Sequence, residues 1–321
     1  MSFARRLQRA SETTHTVVVG DGWPDDTNTG YLHSPTYTGS LTTFSGTIQS
    51  NQTYNNYVFS GGALVGDWNT AAVNVTFNGC KFTSNAVSDA NVAVYGDNIT
   101  FNYCTFMPST VSSPPTTYNQ GYQYPIDQRY NGAITIDHCN AWGYGNAIQF
   151  CFSSQAKPFI VRHTYIHDAR DDGGLDHTDG ILENYGGTPS TMAYGVIYHN
   201  RIISVGNTNG IALQGNGYYN FSVTHNWCTG FGYTYNVGAS GAGNTNFTFT
   251  DNVFSNTFQP VWGPVYGWTD GNGNLWRRNT FKIVQAPNWG NNGGWAAPVT
   301  LADDGKYWWP DGGAYATDYT G

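Results

Sequence analysis

A short pattern of apolar and polar positions recurs eight times along the chain. It reads apolar, any residue, apolar, two polar or small residues, one small polar residue, any residue and again apolar. The eight matches cover residues 75–82, 99–106, 134–141, 159–166, 195–202, 221–228, 247–254 and 274–281. Alternation with a period of two predicts short β-strands rather than helices. We therefore expect each match to supply strands and a bend to one turn of a repeating structure.

The sixth position of the pattern is occupied by small or polar side chains. In order these are Cys80, Cys104, Cys139, Thr164, Asn200, Asn226, Asn252 and Asn279. Most intervals between them are 24 to 27 residues, which is too short for a βαβ unit with its crossover helix. The sequence therefore predicts an all-β fold, a right-handed parallel β-helix of about eight or more stacked coils. Equivalent residues of adjacent coils should form a polar ladder, in which the three cysteines are buried free thiols.

The composition agrees with a β-rich chain and narrows the classes of partner. Only 11% of residues are charged, so the Glu and Lys that cover helix surfaces are scarce. The formal net charge is −8 and no basic stripe is visible, which argues against a nucleic-acid partner. No apolar run approaches the roughly 18 residues of a membrane span. Residues 1–14 contain no apolar stretch, so they do not predict a secretory signal.

The repeat divides the chain into three segments. Residues 1–20 precede it, and Phe3 and Leu7 suit a short helix that caps the open coil end or serves assembly. Residues 21–284 form the predicted β-helix. Residues 285–321 lose the repeat and are rich in tryptophan, which predicts an irregular C-terminal cap.

Two intervals of the repeat, of 35 and 36 residues, are longer than the others. They lie between Cys104 and Cys139 and between Thr164 and Asn200. We expect both insertions to leave the same corner of the coil, about 10 Å apart along the axis. Long loops on a rigid scaffold often carry function, so these two are expected to line one groove.

The second insertion concentrates the acidic residues of the chain. Residues 167–183 contain six of its 21 Asp and Glu side chains. Neighbouring carboxylates raise one another's pKa values, as the acid of a glycosidase pair requires; a polysaccharide lyase would instead use them to hold Ca²⁺. A structural Ca²⁺ loop and a solvated turn are the alternatives, and no cofactor is otherwise required. The candidate catalytic residues are Asp171, Asp172, His177, Asp179 and Glu183.

Four histidines share one position of the repeat. His138, His163, His199 and His225 each stand immediately before the ladder residue, and Asp251 and Arg278 continue the column. Stacked imidazoles on consecutive coils could bind a transition metal. A bend also needs polar residues, so we expect a solvated turn and keep metal binding as the alternative.

Aromatic residues gather in the later coils. Sugar rings stack their apolar faces on such side chains, which makes these residues candidates for substrate contact. The candidate substrate-binding residues are Tyr218, Tyr235, Trp262 and Trp268. The alternative is that these rings pack beneath the C-terminal segment.

The coil pattern with its asparagine ladder resembles the pectate-lyase-like superfold of parallel β-helices over residues 40–284. GDGWPDDTNTG at residues 20–30 and HTDGILENYGG at residues 177–187 are similar to motifs of actinobacterial β-helix proteins. Related β-helices occur as minor tail proteins of the phages that infect actinobacteria. Better-known members of the superfold are polysaccharide lyases, polygalacturonase-type hydrolases, glycan epimerases and phage tailspikes. The chain lacks the G-H-G and R-I-K motifs of the hydrolases and the arginine motif of pectate lyases.

The resemblance implies a phage minor tail or tail-tip protein that binds a host cell-wall or capsular glycan. Such a protein acts in the virion tail, together with other tail proteins, and its enzymatic form would cleave the glycan. The alternative is a secreted bacterial polysaccharide lyase or glycoside hydrolase. A purely structural tail component is a third reading, because a fold alone does not give a function. The sequence leaves open whether the chain is an enzyme.

Overall fold

The computed structural model describes most of the chain between residues 22 and 317. The described residues are 22–84, 90–109, 124–146, 148–151, 153–169, 177–183, 194–204, 206–213, 220–236, 245–255, 258, 263–266, 272–282, 306–308 and 314–317. They form 29 β-strands, one 3₁₀ helix (Tyr31–His33) and no α-helix. The strands are β1 (Thr42–Thr43), β2 (Thr53–Asn55), β3 (Tyr57–Ser60), β4 (Ala63–Val65), β5 (Ala72–Asn78), β6 (Lys81–Ser84), β7 (Ala90–Val94), β8 (Gly96–Asn102), β9 (Thr105–Pro108), β10 (Tyr124–Gln128), β11 (Ile134–Asp137), β12 (Asn140–Trp142), β13 (Ile148–Phe150), β14 (Phe159–Arg162), β15 (Tyr165–His167), β16 (Ile181–Glu183), β17 (Gly195–Tyr198), β18 (Arg201–Ser204), β19 (Asn209–Ala212), β20 (Ser222–Thr224), β21 (Trp227–Gly230), β22 (Tyr233–Asn236), β23 (Thr248–Thr250), β24 (Val253–Ser255), β25 (Gly263–Tyr266), β26 (Leu275–Arg277), β27 (Thr280–Lys282), β28 (Lys306–Trp308) and β29 (Ala314–Thr317).

Three sheets run along the molecule. Sheet 1 has the order β2-β5-β8-β11-β14-β17-β20-β23-β26, sheet 2 the order β1-β3-β6-β9-β12-β15-β18-β21-β24-β27-β29-β28, and sheet 3 the order β4-β7-β10-β13-β16-β19-β22-β25. Neighbouring strands are parallel, apart from β28 and β29. The chain passes from sheet 1 to sheet 2 to sheet 3 and then begins the next coil. Coils are numbered here by their sheet 1 strand, from coil 1 (β2) to coil 9 (β26). The predicted all-β parallel β-helix is confirmed.

Stacked aromatic rings fill the core of coils 2 and 3. Phe77 and Phe101 are in register on neighbouring strands, and their ring centroids lie 5.0 Å apart with an interplanar angle of 8°. Phe82 and Phe106 repeat the arrangement in sheet 2 at 5.1 Å. Burying each such ring stabilises the fold by up to about 3 kcal/mol. Because in-register residues lie one strand spacing apart, the repeat in the sequence becomes a continuous stack in the core.

One left-handed residue turns the chain from sheet 1 to sheet 2 in every coil. These residues have φ between 48° and 60°, and they are Asn56, Gly79, Tyr103, His138, His163, His199, His225, Asp251 and Arg278. Asn, Asp and His are enriched in this conformation among residues that carry a Cβ. The four histidines therefore form the column that their position in the repeat predicts.

The ladder residue follows this turn directly. In the later coils, Asn200 Nδ2 donates a hydrogen bond to Asn226 Oδ1 at 2.9 Å. Asn226 bonds Asn252 in the same way at 3.0 Å, and Asn252 bonds Asn279 at 2.9 Å. All four side chains are fully buried. Each Oδ1 also accepts the backbone N–H of the preceding ladder residue, so the ladder satisfies both side-chain and backbone groups of the bend.

Smaller side chains continue the ladder through the earlier coils. Thr164 N–H donates to Asn200 Oδ1 at 3.0 Å, and Cys139 N–H donates to Thr164 Oγ1 at 3.3 Å. Cys104 N–H then lies 3.4 Å from Cys139 Sγ. These cysteines and Cys80 are buried and free, as the sequence predicts.

Residues 22–38 run along the outside of the coils and are called the N-terminal strap. Trp23 stacks on His225 of coil 7 with ring centroids 4.9 Å apart, and Gly30 N–H donates to the His138 carbonyl of coil 4 at 2.9 Å. Asn56 of coil 1 donates to the Thr36 carbonyl at 2.5 Å. The strap therefore descends six coil spacings, about 29 Å, before the chain enters β1. The sequence places these residues in the β-helix segment and does not predict the strap.

The structure describes the two predicted terminal segments to different extents. Residues 1–20, for which the sequence predicts a capping segment, lie outside the described residues. At the other end, within the segment predicted to be an irregular cap, β29 pairs with β27, and β28 pairs with β29 in antiparallel fashion, so these two strands extend sheet 2. Among the described residues no helix has the length and apolar character to cross a membrane.

Candidate functional site

The two insertions attach at one corner of the coil. Residues 110–123 lie between β9 and β10, and residues 170–176 lie between β15 and β16. Both segments therefore pass from sheet 2 to sheet 3, two coils apart. A third long connection, residues 184–193, leads from β16 of sheet 3 to the next strand of sheet 1. The predicted site residues outside the described part of the chain are Asp171, Asp172, Tyr218, Trp262 and Trp268.

Asp179 pairs with Asn209 of the next coil, at the corner between sheets 2 and 3. Its Oδ1 accepts hydrogen bonds from the backbone N–H of Asn209 at 2.9 Å and from Asn209 Nδ2 at 3.0 Å. The Asp179 side chain is buried. Burial raises the pKa of this carboxyl to about 6, although the hydrogen bonds from Asn209 act in the opposite direction. The pKa of Asp179 is therefore well above that of an ordinary aspartate.

Glu183 and His177 lie close to Asp179 in sequence but in different surroundings. Glu183 is in register with Phe150, and both side chains are buried. In-register residues of parallel strands share a face, so Glu183 lies on the side of sheet 3 that faces the core. His177 is exposed. Of the predicted catalytic residues that the structure describes, Asp179 therefore lies at the corner between sheets 2 and 3, Glu183 on the core side of sheet 3 and His177 at the surface.

The predicted sugar contact of Tyr235 is wrong. Tyr235 is fully buried in the core, in register with Ile211 of the neighbouring strand. Its ring packs edge-on against Phe249 and Phe254, with centroids 4.6 Å away in each case. A ring enclosed in this way cannot stack on a ligand, because every face already contacts the core.

The outer face of sheet 3 carries polar side chains that sequence reasoning missed. Asp127 and Gln149 are in register on β10 and β13, and Gln149 Nε2 donates to Asp127 Oδ1 at 2.7 Å. Arg129 Nε donates to the second oxygen, Asp127 Oδ2. Ile126, beside Asp127, is buried in the core, so Asp127 projects from the opposite face. Asp127, Arg129 and Gln149 are called the sheet 3 cluster.

Arg129 is the accessible member of the sheet 3 cluster. Its side chain is 27% exposed, whereas that of Asp127 is 4% exposed. The guanidinium carbon of Arg129 lies 6.0 Å from the centroid of the Tyr95 ring. The ion pair with Asp127 therefore fixes a guanidinium beside an aromatic face, at a surface that ligands can reach.

The pKa of the Cys151 thiol reflects the charges near the sheet 3 cluster. Burial raises the pKa of its thiol to about 12, and the negative charges of Asp127 and Glu183 add to the shift. Arg129 acts in the opposite direction. The sheet 3 cluster thus combines one cation, one carboxylate and one amide in a partly dehydrated setting, where hydrogen bonds are stronger than in bulk water.

A sequence signal for the cluster does exist. In residues 124–129 the buried Ile126 is followed by Asp127, Gln128 and Arg129, and Arg129 is one of only 13 Lys and Arg residues in the chain. Carboxylate, guanidinium and amide groups on one face can bind a polyhydroxylated or anionic ligand through several directed hydrogen bonds. The chain matches no protein-family model, no curated protein and no solved structure.

Proposed function

We propose that the chain is a phage minor tail or tail-tip protein that binds a host cell-surface glycan along the outer face of sheet 3. The observation that carries the proposal is the sheet 3 cluster. It lies on β10, which follows the first insertion, and on β13, whose neighbour β16 follows the second insertion. A parallel sheet repeats its side chains at one spacing along the axis, which suits a linear polymer of repeating sugars.

Arg129 is the group proposed to contact the glycan. A guanidinium donates hydrogen bonds to hydroxyl oxygens, and it can bind a sugar carboxylate in a bidentate manner. Asp127 and Gln149 are positioning residues, because Asp127 holds Arg129 and is itself held by Gln149. Tyr95, next to Arg129, offers the aromatic surface on which the apolar face of a sugar ring packs.

The tail assignment is supported by the sequence motifs at residues 20–30 and 177–187. The proposed partners are a host cell-wall or capsular glycan and other tail proteins, in the virion tail. A secreted bacterial lyase or glycoside hydrolase would use the same face of the sheet. A purely structural tail component would bind no glycan.

Glycan binding by the full chain tests the proposal. Purified host cell-wall and capsular polysaccharides are titrated into the protein by isothermal calorimetry. Arg129→Gln should weaken binding at least about tenfold, since a charged hydrogen bond contributes about 1.5–3 kcal/mol. Arg278→Gln is the matched control, because Arg278 forms an ion pair with Asp251 at 2.6 Å on the turn between sheets 1 and 2. The control should bind as the unsubstituted chain does; equal loss in both variants, or no binding to any host polysaccharide, would contradict the proposal.

The same material separates a cleaving protein from one that only binds. A carboxyl with a pKa of about 6, such as that of Asp179, suits general-acid chemistry. If Asp179→Asn abolishes depolymerisation and leaves binding intact, the chain is a hydrolase or lyase. Binding without the appearance of new chain ends makes it a glycan-binding protein. Ca²⁺ at the Asp-rich insertion would be revealed by a rise in melting temperature when CaCl₂ is added to the chelator-treated chain.

A further inference from the structure

Two histidines share one carboxylate oxygen at the turn between sheets 1 and 2. Asp137 Oδ1 lies 2.7 Å from His138 Nδ1 and 2.9 Å from His163 Nδ1, and the two histidines belong to adjacent coils. The three ligand atoms all lie within 4.8 Å of one another. The side chains are 14%, 34% and 28% exposed, so ions in solution can reach them.

The backbone and the neighbouring rings hold both imidazoles in place. His138 and His163 have φ of 52° and 48°, and their ring centroids lie 4.5 Å apart. Tyr103 stacks on His138 at 4.6 Å, and His199 contacts His163 edge-on at 5.4 Å. Side chains ordered before a ligand arrives lose little conformational entropy when it binds.

Asp137 is held in a fixed orientation. Its Oδ2 accepts a hydrogen bond from Arg162 Nε at 2.8 Å, while its Oδ1 contacts the two histidines. Arg162 therefore acts as the outer partner that orients the carboxylate.

The three ligand atoms are close enough for one ion to bind all of them. With metal–ligand bonds of about 2.0–2.1 Å, two ligand atoms of the same ion lie about 2.9–3.4 Å apart, depending on the coordination number. Asp137 Oδ1 lies 2.7 and 2.9 Å from the two nitrogens, as in hydrogen bonds, so small shifts would admit an ion. Two imidazoles and one carboxylate are ligands that first-row transition metals accept.

We propose that Asp137, His138 and His163 bind one divalent transition-metal ion, for which Ni²⁺ and Co²⁺ are suitable probes. Each imidazole would coordinate the ion through Nδ1 and carry its proton on Nε2, so bonds to the ion would replace the contacts between the Nδ1 atoms and Asp137. The charged group that faces the three ligands is Arg162, whose positive charge opposes the ion while its hydrogen bond orients Asp137.

Calorimetric titration of the untagged full chain with NiCl₂ or CoCl₂ at pH 7.5, after removal of bound metal with chelator, tests this site. We expect one ion per chain. His163→Asn removes one ligand and substitutes a residue that tolerates the left-handed conformation. It should weaken binding at least about tenfold.

His225→Asn is the matched control. His225 occupies the same turn position with φ 56°, but Thr224 stands before it where Asp137 stands before His138. The control should bind as the unsubstituted chain does, and Asp137→Asn should lose binding as His163→Asn does. No saturable binding, or the same affinity in His163→Asn and the unsubstituted chain, would overturn the proposal. Neither result bears on glycan binding, which is measured at the outer face of sheet 3.

Discussion

Replacing Asp179 by asparagine should stabilise the protein above pH 6. In the folded chain Asp179 is buried beside Asn209, and its pKa rises from 3.8 to about 6. A carboxyl with a raised folded-state pKa contributes stability that is fully present below the unfolded pKa and lost as the pH rises through the folded pKa. Asparagine retains an oxygen that can accept the hydrogen bonds from Asn209 and places an uncharged amide where the second oxygen stands.

The magnitude follows from the two pKa values of Asp179. The penalty for ionising the buried carboxyl reaches about 3 kcal/mol at pH 8 and about 1 kcal/mol at pH 4.5. Asparagine removes this penalty, so the gain in unfolding free energy should be larger at pH 8. In a chain of 321 residues, a gain of about 3 kcal/mol raises the melting temperature by about 4 °C.

Urea and thermal unfolding at pH 4.5 and pH 8, followed by circular dichroism, measure this difference. Asp251→Asn is a control of opposite sign, because the hydrogen bond from Arg278 lowers the pKa of Asp251. The stabilisation of the fold by ionised Asp251 is present above the unfolded-state pKa of this residue and is lost as the pH falls. Asp251→Asn should therefore not stabilise the protein at pH 8. If Asp179→Asn is less stable than the unsubstituted chain at pH 8, or gains equally at both pH values, the reasoning is refuted.

Three further substitutions or modifications probe the ladder, the strap and the buried thiols. Asn226→Leu should leave bend groups unpaired and lower the unfolding free energy by about 1–3 kcal/mol in urea; an unchanged midpoint would mean that the ladder is not stabilising. Gly30 has φ 81° and a Cβ there would lie 2.5 Å from Thr105 Oγ1, so Gly30→Ala should speed amide hydrogen exchange in the strap. Unchanged exchange would contradict that contact. Burial raises the pKa of Cys104 well above its usual value, so an aromatic disulfide reagent at pH 8 should modify it only after unfolding.

The sequence predicts the coils well because each side chain of the repeat has one structural role. Phe77 and Phe101 share a position in the pattern and stack in the core. Coil 1 does not match the pattern, because Tyr57 occupies the position at which later coils have a small ladder residue. The pairing of Val58 with Lys81 shows this, since it places Tyr57 opposite Cys80. The sequence does not predict the N-terminal strap, because the strap has no periodicity and its contacts join residues far apart in the sequence.

The candidate site was harder to predict because composition does not say which way a side chain faces. Asp179 and Glu183 are conspicuous in the sequence as acidic residues, but both are buried. Asp179 pairs with Asn209 at the corner between sheets 2 and 3, and Glu183 is in register with the core residue Phe150. Arg129 and Asp127 are harder to recognise, because single charged residues are common on the outer face of a strand. Their arrangement as a cluster depends on the neighbouring parallel strand, which places Gln149 within hydrogen-bonding distance of Asp127.

The N-terminal strap has a consequence for how the chain is made and how it comes apart. Trp23 leaves the ribosome early, yet its partner His225 follows only after about 200 further residues, so this contact is among the last to form. In most solenoids each repeat touches only its neighbours and can fray alone. Here a single outer segment spans coils 1 to 7, and those coils should open together rather than peel away one by one under mechanical load.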